Sequence, residues 1–243
     1  MANTILLRNG RAMPPVGMTT TAGREAEIWC SLPASFEQGA RRYCSSSSHG
    51  SLRALGTFLG ESFQRGVLRS DMWVSASVGP GVVQYSEFSD CSSTNLKHKA
   101  RMQIENSLDQ LMLGYVDLLL MDLEDPSDEV RQQVWEVLEE YYFVGRAKAV
   151  GLRSSSWRHL AGLLKDANVA PMVVQLDCGP SRAHPELMKL CQQNGIILEV
   201  PSSAESASRS ILSGVSAPTS DVLIPFLAQF SYGSELNSGH SFL

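Results

Sequence analysis

The apolar positions of this chain fall into two kinds of run that take turns along it. Residues 72–78, 116–121, 147–152, 172–176 and 196–200 are short and nearly continuous in apolar side chains, the length and density of strands buried on both faces. Between them the apolar residues recur at helical spacing. Leu52, Leu55, Leu59 and Phe63 form one stripe across residues 51–64, which Gly66 closes. Ile104, Leu108, Leu111 and Met112 form another within 96–113, and Val130, Val134, Val137, Leu138 and Tyr141 a third. Ser127 has the side chain of a helix N-cap, Asp128 and Glu129 place negative charge at the positive helix end, and Gly145 stops the helix. Residues 157–167 and 185–194 read as two further helices. Strand and helix alternating at this spacing predict a parallel α/β protein.

The ends of the chain are less regular. Two apolar pieces flank Asn9-Gly10, a dipeptide that favours a hairpin turn, so residues 1–20 read as a small hairpin ahead of the main fold. Ile28, Leu32 and Phe36 have loose helical spacing, but a proline costs about 3 kcal/mol inside a helix, which predicts a start or a kink at Pro33. Residues 41–44 make a poor strand that runs into the serines at 45–48. Residues 79–95, rich in Gly and Ser, suit a long surface loop. Residues 202–219 are Ser-rich and irregular, and 221–230 read as one last helix. Seven strands are legible and an eighth is not. The expectation is a single domain over 1–243, a (β/α)8 barrel incomplete at its C-terminal unit.

Composition narrows the function classes. The formal net charge is −5, with Lys and Arg scattered, which points away from nucleic acid. No apolar run approaches the roughly 18 residues of a membrane span, and the first residues carry no recognisable secretory signal, so a soluble cytoplasmic or organelle-interior protein is expected. Five widely spaced cysteines without a CxxC pair suggest reduced thiols rather than zinc. Asp122, Glu124 and Asp125 are acidic neighbours, but alternate residues of a strand point apart and acids before Ser127 suit a helix start, so no metal site is expected.

The blocks LLRNGRAMPPVG, SLDQLMLGYVDLLLMDLEDP, VWEVLEEYYFVGRAKAVGLRSSSW and APMVVQLDCGPSRAHPELMKLCQQNGIILEV resemble the aldo-keto reductases. The resemblance implies a barrel of that type, with hydride transfer from NADPH to a carbonyl assisted by Tyr, Lys, His and Asp. Motif by motif, the Asp position holds Cys44, the Tyr position His49, the Lys position Ser77 and the His position Asp122. All four differ from the family pattern. Among the residues that hold the nicotinamide carboxamide, the Gln position keeps Gln175, whereas Arg153-Ser154 replaces Ser-Asn, and Pro201 replaces the stacking Tyr. Pro201 has no ring face to offer. The strand with the Lys-Ser and Arg that grip the adenosine phosphate has no counterpart.

These replacements predict a barrel that has lost reductase activity, binds no cofactor and serves as a structural or regulatory subunit beside a protein partner. Two open barrel edges, left by the missing strand, would favour such a partner. The alternative is a divergent oxidoreductase that binds NADP, with Gln175 and Ser154 on the cofactor and His49 as the acid. A second alternative is a hydrolase or transferase in which Cys44, His49 and Asp122 meet at the barrel mouth as thiol, imidazole and carboxylate. In the reductase setting the charge of Asp122 would oppose a developing oxyanion.

Overall fold

The computed structural model describes residues 4–20, 25–46, 51–79, 93–123, 126–154, 156–176, 184–202 and 222–225. A two-stranded antiparallel hairpin comes first, β1 (Ile5–Leu6) and β2 (Ala12–Met13). Gly10, with φ of 81°, occupies the left-handed position that its turn requires. Then follow β3 (Gly17–Thr19), α1 (Glu25–Glu37), β4 (Arg42–Ser46), α2 (Ser51–Gln64), β5 (Trp73–Val78) and α3 (Ser93–Leu111). The chain continues with β6 (Leu118–Asp122), α4 (Asp128–Phe143), β7 (Val150–Arg153), α5 (Trp157–Asp166), β8 (Val173–Gln175), α6 (Pro185–Gln193), β9 (Ile197–Ser202) and β10 (Val222–Pro225).

Strands β3 to β9 are parallel neighbours in sequence order, and β10 lies between β9 and β3, antiparallel to both, so that the barrel is closed. This corrects the expectation of two open edges. It also corrects the last helix expected over 221–230: Val222–Pro225 is a strand, and the rest of that segment lies outside the described residues. An apolar Val-Leu-Ile run has the composition of a strand, and here it satisfies the backbone groups of both edges. An antiparallel neighbour needs no crossover helix, so the last strand follows a different rule from the seven before it.

Alternation along the strands separates two cores. Val74, Ala76, Leu119, Met121, Val150, Val174 and Leu198 face outward and pack with Leu55, Leu59, Ile104, Leu108, Trp135 and Leu138 of the helices. Trp73, Leu118, Leu120, Ala149, Met172 and Val173 face inward and pack with Leu7 and Met13 of the hairpin, which plugs the bottom of the barrel. Asp117, which interrupts an apolar stretch, anchors this end: its carboxylate accepts from Val74 N at 3.0 Å and pairs with Arg69 at 2.7 Å and Arg11 at 3.5 Å. Gly151 is needed inside the barrel, because a Cβ there would stand 2.6 Å from Val173 O and 2.8 Å from Leu120 Cδ2.

The expected helices and strands recur with shifted ends. Ser127 accepts from Val130 N as the N-cap of α4. Helix α1 runs through Pro33, which excludes the first of the two expectations there, a start at the proline. Ile28 and Leu32 are buried against the barrel, and that packing outweighs the proline's local cost. Most of the loop expected over 79–95 lies outside the described residues.

Candidate functional site

In a parallel barrel the C-terminal strand ends form the mouth where chemistry is placed. Four polar residues stand side by side there: Asp122 pairs in register with Arg153, Arg153 with Gln175, and Gln175 with Glu199, across β6, β7, β8 and β9. Their side chains are joined as well. Arg153 Nη1 donates to Asp122 Oδ2 at 3.0 Å and Nη2 to Gln175 Oε1 at 3.3 Å. Gln175 Nε2 donates to Glu199 Oε2 at 2.9 Å, and Glu199 Oε1 accepts from the guanidinium of Arg42 on β4. Arg42 reaches Glu199 from the far side of β3, its stem lying over Gly17 with Cδ 3.0 Å from where a Cβ would be.

The row is graded in exposure. Asp122 and Arg153 have 20% and 19% of their side chains exposed, whereas Arg42 and Glu199 have none. Gln175 is fully buried between the two pairs. Two anions and two cations alternate along it, so the interior carries no net charge from this group. That arrangement satisfies the requirement that buried charges be paired. It also changes the reading of Asp122: with Arg153 beside it, its charge does not stand alone against an oxyanion.

Cys44 sits in the inward-facing core and is buried. Burial raises its thiol pKa; Arg153 and Arg42 pull it down and Glu199 pushes it up, with burial prevailing. A thiol so held stays protonated at neutral pH, whereas the thiolate is the nucleophile. Asp122 is committed to Arg153, and His49 lies outside the described residues. Of the Cys44, His49 and Asp122 constellation the structure thus describes two members, a buried thiol and a carboxylate paired with Arg153. Ser77 and its neighbour Ser75 are buried, and neither hydroxyl has a hydrogen-bond partner among the described residues.

Ser154 is held locally. Its hydroxyl accepts from Ser156 N at 3.0 Å and lies 3.2 Å from His159 Nδ1, at the start of α5, while its backbone N donates to Gln175 O at 2.9 Å. Sequence reasoning noted Arg153 only as a replacement and missed Arg42 and Glu199. The signal was present, since a charge within a buried strand must find a partner. No group of three or more His, Cys, Asp or Glu side chains arranged to hold a metal occurs among the described residues. Nor is any helix among them long and apolar enough to cross a membrane.

The family model described as "Aldo/keto reductase family" matches residues 38–204, more than half of the chain and all strands from β4 to β9. The chain belongs to the aldo/keto reductase family. A glyoxal reductase of Bacillus subtilis is 29% identical over 202 residues, covering 82% of this chain and 66% of the relative. Aldo-keto reductase family 1 member A1 of Rattus norvegicus is 25% identical over 86% of this chain and 67% of its own length. The chain thus spans about two thirds of the length of these relatives. Among solved structures, a Bombyx mori aldo-keto reductase in complex with NADP superposes with a TM-score of 0.68 at 20% identity, covering 90% of this chain and 71% of that one.

These findings correct two expectations. A reductase fold kept only as a structural or regulatory subunit is not supported, because the relatives are named as reductases and nothing among them points to such a role. The expectation that no cofactor binds is likewise unsupported, since a structural neighbour of the family holds NADP. Replacement at the four positions that the resemblance gives to the tetrad does not by itself mean that the reaction was abandoned.

Proposed function

We propose that this aldo/keto reductase is an NADP(H)-dependent oxidoreductase of carbonyl compounds that works with a catalytic group other than the family tyrosine. The observation that carries the reading is Gln175. It stands at the end of β8, at the position the resemblance gives to the carboxamide-binding Gln. Its Nε2 donates to Glu199 and lies 4.0 Å from Cys44 Sγ, while Oε1 accepts from Arg153 and keeps a second lone pair for the N–H of a nicotinamide carboxamide. Ser154, adjoining Gln175 through its backbone, is the other residue that would hold that group.

The fit is confined to the carboxamide. Pro201 offers no ring to the nicotinamide face, and the adenosine phosphate has no identified Lys or Arg, so weaker binding than in a relative that keeps those residues is expected. When bound, the reduced nicotinamide supplies a hydride. The barrel contributes a buried, pre-oriented polar row beside it. His49, the acid that the motif offers, lies outside the described residues, and the reading does not depend on it.

The test is titration of the purified protein with NADPH, followed by its fluorescence and by melting temperature, together with loss of NADPH absorbance on adding glyoxal or an aromatic aldehyde. Saturable binding with aldehyde-dependent oxidation is expected. No binding at millimolar NADPH, from protein with a cooperative melt, would overturn the reading.

A further inference from the structure

We infer that the crevice between α4 and α5, on the outside of the barrel, binds a small zwitterion, an ω-amino acid whose carboxylate meets Arg131 and whose ammonium meets Glu139. The site lies in the helical layer, away from the strand ends that form the mouth, and it is independent of the reductase reading. The crevice has a volume of about 430 Å³ up to its open rim, within the range of small-molecule sites. Arg131, Trp135 and Glu139 line it from α4, each four residues after the last, so that they stand one above another on a single helix face. Gly162 and Leu163 of α5 line the opposite wall.

Two buried charges mark its ends. The Arg131 side chain is 5% exposed, and its one ion pair among the described residues joins Nη2 to Asp128 Oδ1 at 2.7 Å, on a side chain that is 93% exposed. A guanidinium has five N–H donors, so most of its capacity is left for a ligand acceptor. Gly162 gives the fork its seat: a Cβ there would stand 2.3 Å from Nη2 and 3.0 Å from Cζ. Glycine is otherwise unfavourable inside a helix. Glu139 is buried as well. Its oxygens accept from Val169 N at 2.8 Å and from Asn168 Nδ2 at 3.0 Å, which fixes the carboxylate, but no cation pairs with it among the described residues. Each of its oxygens keeps a further lone pair.

A buried charge calls for a partner of opposite sign. An anion alone would satisfy Arg131 but face Glu139, Asp166 and the Glu136 that Lys97 holds, all of which line the same crevice. A cation alone would be met by the guanidinium. A ligand that carries both charges answers both ends. Eight residues of helix place those ends about 12 Å apart, and a charge-assisted hydrogen bond of about 2.8 Å at each leaves roughly 6 Å between the ligand's own charges. That separation is a chain of several methylenes, whereas the charges of an α-amino acid flank a single carbon. Trp135, held through Nε1 on Val169 O at 3.0 Å, gives such a chain an apolar floor together with Leu163 and Ala167.

The experiment titrates the full chain with δ-aminovalerate and ε-aminocaproate, followed by calorimetry and by the indole N–H resonance of Trp135, with valerate, butylamine and alanine as controls. Saturable binding of an ω-amino acid is expected at millimolar concentration or below, with each control at least about tenfold weaker, since a charge-assisted contact is worth that much. Gly162→Ala pushes aside the far end of a flexible side chain, so it should weaken binding about 10–100-fold while the melting temperature holds. Glu139→Gln keeps an acceptor for Val169 N but removes the charge, and should weaken binding to a similar degree. If Glu139→Gln does not fold, Gly162→Ala carries the comparison. Absence of saturable binding by parent protein with a cooperative melt overturns the inference, as does valerate binding as tightly as the amino acids, or full affinity in Gly162→Ala. NADPH binding is measured separately, so the reductase reading stands or falls on its own.

Discussion

The most demanding consequence of the polar row concerns its sealed end. Arg42 and Glu199 have fully buried side chains, and the carboxylate is shared, one oxygen to Arg42 and the other to Gln175 at 2.9 Å. Replacing Arg42 by Met keeps an apolar stem over Gly17 but strands the carboxylate inside the barrel. Removing one partner of such a pair costs about 3–5 kcal/mol, most of it from the charge left without compensation. For a domain of this size 1 kcal/mol is worth roughly 2–4 °C, so the melting temperature should fall by about 6–20 °C. Glu199→Gln, which strands the guanidinium instead, should cost about as much. The double substitution leaves two neutral side chains and should cost no more than either single one. Urea unfolding of the four proteins, followed by tryptophan fluorescence, gives the cycle, with unchanged slopes showing that the compact states are comparable. Single effects that add to the double within about 0.5 kcal/mol would refute the reasoning, because independent sites behave that way and a shared buried pair does not.

Three further outcomes follow from other parts of the molecule. Gly151→Ala should destabilise by about 1–3 kcal/mol, measured by the same unfolding curves, since its Cβ would meet the Val173 carbonyl at 2.6 Å and backbone cannot turn aside as a side chain can. On the helical layer, Tyr141 donates to Glu105 at 2.5 Å, and Arg146 donates to the same oxygen. Burial pushes the Glu105 carboxyl up, but these two partners pull it below its ordinary value, while burial and Glu105 raise the Tyr141 phenol above its own. A lowered carboxylate contributes stability that is present above its ordinary pKa of 4.5 and is lost as pH falls through the folded value. The raised phenol contributes stability that is present below 10.0 and is lost as pH rises through its folded value. Tyr141→Phe should therefore flatten both limbs of the stability–pH curve, most visibly above pH 10, and unchanged limbs would count against the contact. Finally, alkylation mapped by mass spectrometry should label exposed Cys30 in the folded protein, and Cys44 and Cys191 only on unfolding, both being buried with raised pKa, Cys191 to about 12.

What could be read beforehand follows a physical division. Elements whose stabilisation is local were legible: the stripe of Leu52, Leu55, Leu59 and Phe63 coincides with α2, and the Ser127 cap with the start of α4. So was the barrel, because continuous apolar strands need cover on both faces. What escaped depends on partners distant in sequence. Helix α1 tolerates Pro33 because Ile28 and Leu32 are buried against other elements. Strand β10 is four residues long and gains its conformation from β3 and β9 on either side, more than from its own pattern. The site behaved likewise. Local motifs single out Cys44, Ser77, Asp122 and Gln175 one at a time, and nothing local says that Arg42 meets Glu199 across 157 positions of chain.

The replaced positions also make sense jointly. In the family the Asp and Lys are partners, and an isolated buried charge is far more costly than a neutral side chain. At the positions that the resemblance gives to that Lys and Asp stand Ser77 and Cys44, both neutral, on the adjacent strands β5 and β4. The charges inside this barrel are paired, Arg42 with Glu199 in the depth and Arg153 with Asp122 at the mouth. Each is balanced by its partner, and Trp73, Leu118 and Met172 form the apolar plug with the hairpin. Matched pairs meet the requirement that buried charge be balanced, so the departure from the tetrad that the resemblance assigns gives no stability argument against the proposed reductase reading.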